Sequence, residues 1–234
     1  MIIECIGLPG SGKKELIGLV EKELKRREVD YVNVSEGLRR RIGWKILRVV
    51  AGALIYLSAD ARWLRDRLRG ILAGEDGGES FGVYRNERGA IRVLALYAHW
   101  YRRMIRSHRL YLFDEGMVHV LTMLCADRRV SDQAYRKMVL ASEKGIRRAR
   151  LVIFNEISEE ESIAALEAGD VRCDAFNREP GSEERDALLG EYGRLLEAYR
   201  TNFRVLEVRS QDGNRKNLAR VFGRIRQILS EEGN

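Results

Sequence analysis

The feature that most constrains this chain is a glycine-rich run closed by a lysine, Gly7-Leu8-Pro9-Gly10-Ser11-Gly12-Lys13. An apolar segment, Ile2 to Ile6, precedes it, and Leu16, Ile17, Val20 and Leu24 follow at helical spacing. Strand, glycine loop and helix in that order make a phosphate cradle. Glycines let the backbone bend until several N–H groups point at one anion. The helix behind them adds the positive end of its dipole. A lysine at the loop's end reaches the outer phosphates as a point charge. Gly7, Leu8, Pro9, Gly10, Ser11, Gly12 and Lys13 are therefore the expected nucleotide-phosphate contacts. The motif departs from its usual form at the next residue. Lys14 stands where a serine or threonine hydroxyl ordinarily meets Mg²⁺, and a protonated amine cannot ligate a metal.

A second segment has the form of an acidic strand end. Leu110 to Phe113 is apolar and runs directly into Asp114-Glu115-Gly116. Beside a phosphate loop, Asp114 is the expected residue for Mg²⁺ or its waters. Glu115 is the candidate general base towards an acceptor hydroxyl or water. Phosphoryl transfer spreads negative charge, which arginines closing over the site stabilise. Arg172 and Arg178, with Arg185 close behind, lie in a polar loop placed to do this; a solvated loop is the equal alternative. Arg102, Arg103 and Arg106 are candidates for holding an anionic group on the acceptor, or are simply a solvated face.

Alternation of short apolar runs with amphipathic stretches predicts an α/β fold with a mainly parallel sheet. Expected strands are Ile2 to Ile6, Tyr31 to Val34, Leu110 to Phe113, Leu151 to Phe154 and Arg204 to Val208. Expected helices cover about 13–27, 37–72, 88–107, 117–125, 132–149, 183–200 and 214–229. Ser158 with Glu161 forms a capping box at the start of another helix. A Gly- and acid-rich break lies at 74–82. Val93, Tyr97, Trp100 and Met104 form one helical stripe, read as core.

With 234 residues, one domain is expected. Three scattered cysteines, Cys5, Cys125 and Cys173, suggest free thiols and a cytoplasmic setting. The first residues do not read as a signal peptide, and no apolar run is long enough for a membrane span. The formal charge of +7 favours anionic partners. Between Gly37 and Arg69 stand nine basic residues against two aspartates, around an apolar run from Val49 to Leu57. This arm reads as a lobe for an anionic acceptor, as a peripheral contact on an anionic membrane (37–69), or as an ordinary packed helix. No motif supports nucleic-acid binding.

The glycine loop, the Asp114-Glu115-Gly116 strand end and the five-strand layout together resemble the P-loop nucleoside and nucleotide kinases of the thymidylate kinase-like group. That resemblance implies a three-layer αβα P-loop NTPase fold with a five-stranded parallel sheet in the order 2-3-1-4-5. It implies a helical acceptor-binding insertion over 36–107, a lid over 168–185 that supplies Arg172 and Arg178, and contacts to the base from the loop around Asp212 and Asn214. ATP and Mg²⁺ are the implied cofactors, and an anionic small molecule is the expected acceptor. The Asp-Arg pair of that group is absent, since Glu115 follows Asp114. Steady NTP hydrolysis, or a nucleotide sensor or scaffold without turnover, are the alternative functions.

Overall fold

The computed structural model describes residues 1–8, 10–34, 58–74, 87–107, 109–114, 116–128, 130–144, 150–167, 190, 194 and 205–232. The strands are β1 (Ile2–Ile6), β2 (Tyr31–Asn33), β3 (Leu110–Phe113), β4 (Arg150–Glu156) and β5 (Val205–Arg209). The helices are α1 (Lys13–Arg26), α2 (Ala59–Leu72), α3 (Glu87–Met104), α4 (Met117–Arg128), α5 (Asp132–Ser142), α6 (Glu159–Glu167) and α7 (Asn214–Glu232). A 3-10 turn, Ser210–Asp212, joins β5 to α7.

All five strands are parallel, in the order β2-β3-β1-β4-β5. The expected fold and strand order are what the chain adopts. Both faces of β1 are covered, so its side chains divide by period two. Ile2 and Ile6 enter a core built with α2, α3, α4 and α5. Ile3 and Cys5 enter a second core built with α1 and α7. The sheet is thus the middle of three layers. Tyr97, Tyr101 and Phe113 pack edge-to-face or tilted on the first side, with Trp100 on the edge of Tyr97. Of the expected stripe Val93, Tyr97 and Met104 are partly buried against this core, while Ile91, Leu94, Ala98 and Tyr101 form the fully buried face.

Several expected boundaries move. Strand four begins at Arg150 rather than Leu151, because that arginine is not a solvent-facing flank. Its guanidinium is 2% exposed and paired with two carboxylates inside the protein. Helix α5 ends at Ser142 rather than near 149, and residues 145–149 lie outside the described set. The helix expected over 88–107 ends at Met104, where Arg106 N–H and Ser107 N–H tighten onto Arg103 and Met104 carbonyls. The Ser158–Glu161 capping box forms as read. Glu161 N–H donates to Ser158 Oγ at 3.1 Å, and Ser158 N–H donates to Glu161 Oε2 at 2.9 Å.

Of the basic arm expected over 37–69, residues 37–57 lie outside the described residues and 59–69 fall in α2; 75–82 of the break expected over 74–82 and the whole lid over 168–185 also lie outside. Among the described residues, no helix is long and apolar enough to cross a membrane.

One polar network interrupts the first core. Glu4 is fully buried on the face that Ile2 and Ile6 also line. Arg150 donates to it at 2.6 Å and, with its other amine, to Glu143. Breaking a buried pair by removing one partner leaves uncompensated charge. Arg150→Met leaves two carboxylates in the core, so the expected loss of stability is roughly 3–5 kcal/mol in urea denaturation. A loss below about 1 kcal/mol, the range of exposed pairs, would show that solvent already serves these charges.

Candidate functional site

The glycine loop leaves the C-terminal end of β1 and closes on α1. Gly10 and Gly12 take φ of 81° and 72°. Both lie in the left-handed region that only glycine enters without strain. At Gly7 the constraint is space. A methyl group there would strike the Asn155 carbonyl and stand 2.7 Å from Ser11 Oγ. Asn155, at the end of β4, also donates from its side-chain amide to the Ser11 carbonyl. The neighbouring strand therefore clamps the loop from outside. Ser11 is 1% exposed.

Lys13 sits in the first turn of α1. Its ammonium donates to the Gly7 carbonyl at 2.9 Å and the Leu8 carbonyl at 3.0 Å. The charge thus lies across its own loop, held by two neutral carbonyl partners. Lys14 follows on the helix and is exposed.

Asp114 ends β3 and is 8% exposed. Strand pairing sets it beside the loop, since Glu4 is in register with Phe113. The thiol of Cys5 senses both groups. Burial pushes its pKa up to about 12, Lys13 opposes that rise, and Asp114 adds to it. Cys5 is therefore a protonated filler beneath the site and not a nucleophile. The site thus brings Lys13 and Asp114 together at the ends of adjacent strands.

Beside the loop lies an open cleft of about 280 Å³. Gly10, Ser11 and Gly12 form one wall, Asn155, Ile157 and Glu161 another, and Asn214 and Asn217 the third. Of the two residues expected near a base, Asn214 lines this cleft. Asp212 is held elsewhere. Its carboxylate accepts from Lys216 at 2.9 Å and Arg220 at 3.2 Å, and Lys216 foremost keeps its pKa low.

Asn155, Glu161 and Asn217 were not legible as site residues. Asn155 ends a strand that reads as apolar, and Glu161 reads as a cap. Asn217 is placed by α7, where its side chain donates to the Arg209 carbonyl at 2.7 Å. The acidic residue after Asp114 is the one clue pointing to a strand-end site at β3; no comparable signal marks Asn155.

Arg102 donates to the Lys144 carbonyl at 3.3 and 3.4 Å. Pro9, Glu115, Arg172, Arg178 and Arg185 lie outside the described residues.

No protein-family model matches this chain, and no curated protein matches its sequence. Solved structures do match its fold. Deoxyadenosine kinase from M. mycoides, with products dCMP and dCDP, aligns at a TM-score of 0.53 and 10% identity. That alignment covers 97% of this chain and 100% of the kinase. The same enzyme with dCTP gives 0.52 at 12% identity, and with dATP 0.54 at 12% identity. The dATP alignment covers 97% of this chain and 99% of the kinase. At such identities the likeness shows the fold alone, a five-stranded parallel sheet with helices on both faces shared with those kinases.

Asn155→Ala tests the clamp. The fold should survive, because the side chain contributes one hydrogen bond to a loop. If the loop holds a triphosphate as the sequence leads one to expect, loss of its preorganisation should weaken that binding about tenfold, the equivalent of one neutral hydrogen bond. Unchanged affinity in calorimetry would show that the glycines alone shape the cradle.

Proposed function

We propose that this protein is an ATP-dependent small-molecule kinase, moving the γ-phosphate to a hydroxyl or phosphate of an anionic or nucleoside-like acceptor. The observation that carries the reading is a glycine loop in left-handed backbone, closed by Lys13 and flanked by the buried carboxylate of Asp114 on the adjacent strand. The kinase fold across nearly the whole chain supports it. The deoxynucleotides in those structures favour a nucleoside or nucleotide as the acceptor class. The narrower thymidylate-kinase likeness belongs to the same proposal.

In this reading the loop amides and Lys13 hold the triphosphate. Asn155 keeps the loop in shape, and Asn214 lies near the base, with Asp212 steering the local arginine and lysine. Glu115 takes the acceptor's proton, and Arg172 and Arg178 close over the transferred group. Acting within the cytoplasm fits these substrates. Peripheral membrane contact through 37–69 is a separate proposal on charge alone.

Mg²⁺ is the implied metal. Among the described residues no group of three or more metal-binding side chains gathers. Mg²⁺ is ordinarily held through one or two carboxylates with substrate phosphates supplying the rest. Asp114 meets that requirement at the loop's edge, so this donor set fits the metal. When bound, the ion neutralises charge on the outer phosphates. Lys14 contributes a fixed positive charge where a hydroxyl ligand is usual.

Lys14 favours a second reading, a nucleotide sensor without turnover. Calorimetry with ATP, ADP and GTP, with and without Mg²⁺, separates the two. The kinase reading expects Mg²⁺ to tighten ATP binding in the wild type, and Lys13→Ala to weaken it at least about tenfold. Binding that ignores Mg²⁺ until Lys14→Ser introduces the dependence favours the sensor. Absence of any nucleotide binding overturns both.

A further inference from the structure

The buried network beneath the site is built around the acidic strand end. Glu4 sits in β1, just before the glycine loop. Its Oε1 accepts from the Val118 N–H at 2.6 Å. Its Oε2 accepts from the Tyr101 hydroxyl at 3.1 Å and from Arg150 at 2.6 Å. The Tyr101 oxygen in turn accepts from the Met117 N–H at 3.2 Å. Val118 and Met117 are the opening residues of α4, so two of that helix's otherwise unsatisfied N–H groups end on this network.

Between this anchor and Asp114 stand only Glu115 and Gly116. A methyl group on Gly116 would meet the Tyr101 hydroxyl and lie 2.6 Å from the Glu4 carboxyl carbon. The backbone here is pressed against the network with no slack. Tyr101 comes from the far end of α3, the helix that closes the acceptor-side insertion expected over 36–107. Its ring packs 5.0 Å from Phe113, the residue before Asp114, and Arg150 lies 5.5 Å over its face. Burial holds the Tyr101 hydroxyl far above its ordinary pKa, so it stays a donor to Glu4 at every physiological pH.

We infer that Tyr101 and Glu4 are positioning residues, which fix Asp114 against the glycine loop and couple it to the acceptor-side helix α3. The inference rests on the reading of Asp114 as the metal-side carboxylate. Two strands and two helices meet at one carboxylate: β1 carries the loop, β4 carries Arg150, α4 carries the backbone after Asp114, and α3 carries Tyr101. A shift of α3 by a fraction of an ångström therefore moves the first turn of α4 or breaks a buried hydrogen bond. Packed interiors pass such shifts on rather than absorb them.

Tyr101→Phe removes the hydroxyl and keeps the ring among Tyr97 and Phe113. Wild type and variant are compared by ATP calorimetry across a Mg²⁺ titration, with amide exchange measured over 110–124. The variant should bind metal-free ATP within about twofold of the wild type, since the loop is untouched. The Mg²⁺ concentration for half of the affinity gain should rise about tenfold, and Met117 and Val118 amides should exchange about tenfold faster. A merely structural tyrosine lowers the melting temperature and leaves the Mg²⁺ midpoint in place; that result overturns the inference. A wild type that binds ATP with no response to Mg²⁺ also overturns it, while leaving nucleotide binding intact. A wild type that binds no nucleotide overturns the proposed function and the inference together.

Discussion

A carboxylate placed in the middle strand of a doubly covered sheet must be compensated from several directions, and much of this fold answers to Glu4. Isolated in such a core, an ionised carboxyl would be neutralised or expelled. Here Arg150 reaches it from β4, and Arg150 is itself balanced by Glu143 after α5. Two further donors reach Glu4, the Tyr101 hydroxyl from α3 and the Val118 N–H at the start of α4. Each partner belongs to a different element. The pairing that satisfies one charge therefore also fixes how the helical layer sits on the sheet. Replacing such a pair by apolar residues is often neutral or better for stability. What an apolar replacement would not supply is direction: a hydrogen-bonded carboxylate accepts only along its lone pairs, so it specifies where the start of α4 must lie.

The glycine loop inherits this order. It begins where β1 ends, and β1 is held on one side by β3 and on the other by β4. Asn155 extends the β4 contact past the last strand pair and onto the loop. In open parallel sheets ligands bind beyond the carboxyl ends of the strands. Three strand ends converge here: β1 supplies the loop, β3 supplies Asp114, and β4 supplies Asn155. On the far side of the cleft, Gln211 of the 3-10 turn donates to Glu161 at 3.5 Å, an exposed contact.

How much of this a reader could take from the chain itself follows from which signals are local. The glycine loop is legible because its spacing, the strand before it and the helix after it lie within one short window. The strand order came from a resemblance, not from spacing, since parallel crossovers leave no local mark. The Ser158–Glu161 box is local and forms as written. Arg150 is the opposite case. Beside an expected helix end it reads as a solvated flank, and its partners Glu4 and Glu143 become visible only when β1 and β4 are adjacent. Glu4 is the one charged residue in an otherwise apolar strand, and its neighbours in the chain offer it no partner. Asn155 and Asn217 are equally non-local: an amide at a strand end or in a helix's first turn has no pattern until the loop folds against it.

Lys14 is the point at which the physics of the site departs from its motif. Lys14 adds a second ammonium in the first turn of α1, exposed to solvent. An exposed ammonium acts through high-dielectric water and salt, so its pull on a phosphate is a fraction of what a buried charge exerts. On the proposed reading the two lysines together would offset part of a polyphosphate's charge before a metal arrives. A divalent ion bound near the same oxygens would meet screened repulsion from Lys14, which the flexible stem relieves by swinging aside. Attraction for the ground state and repulsion for the metal act in opposite senses on turnover. An ammonium that binds substrate and transition state alike tightens binding without speeding transfer. The ion contributes where charge develops during transfer. On the proposed reading the balance rests on Asp114, whose carboxylate would draw the metal towards the β3 side and away from Lys14. A carboxylate can do that only if its strand end does not yield, and the network on Glu4 is the part of this structure that holds it there.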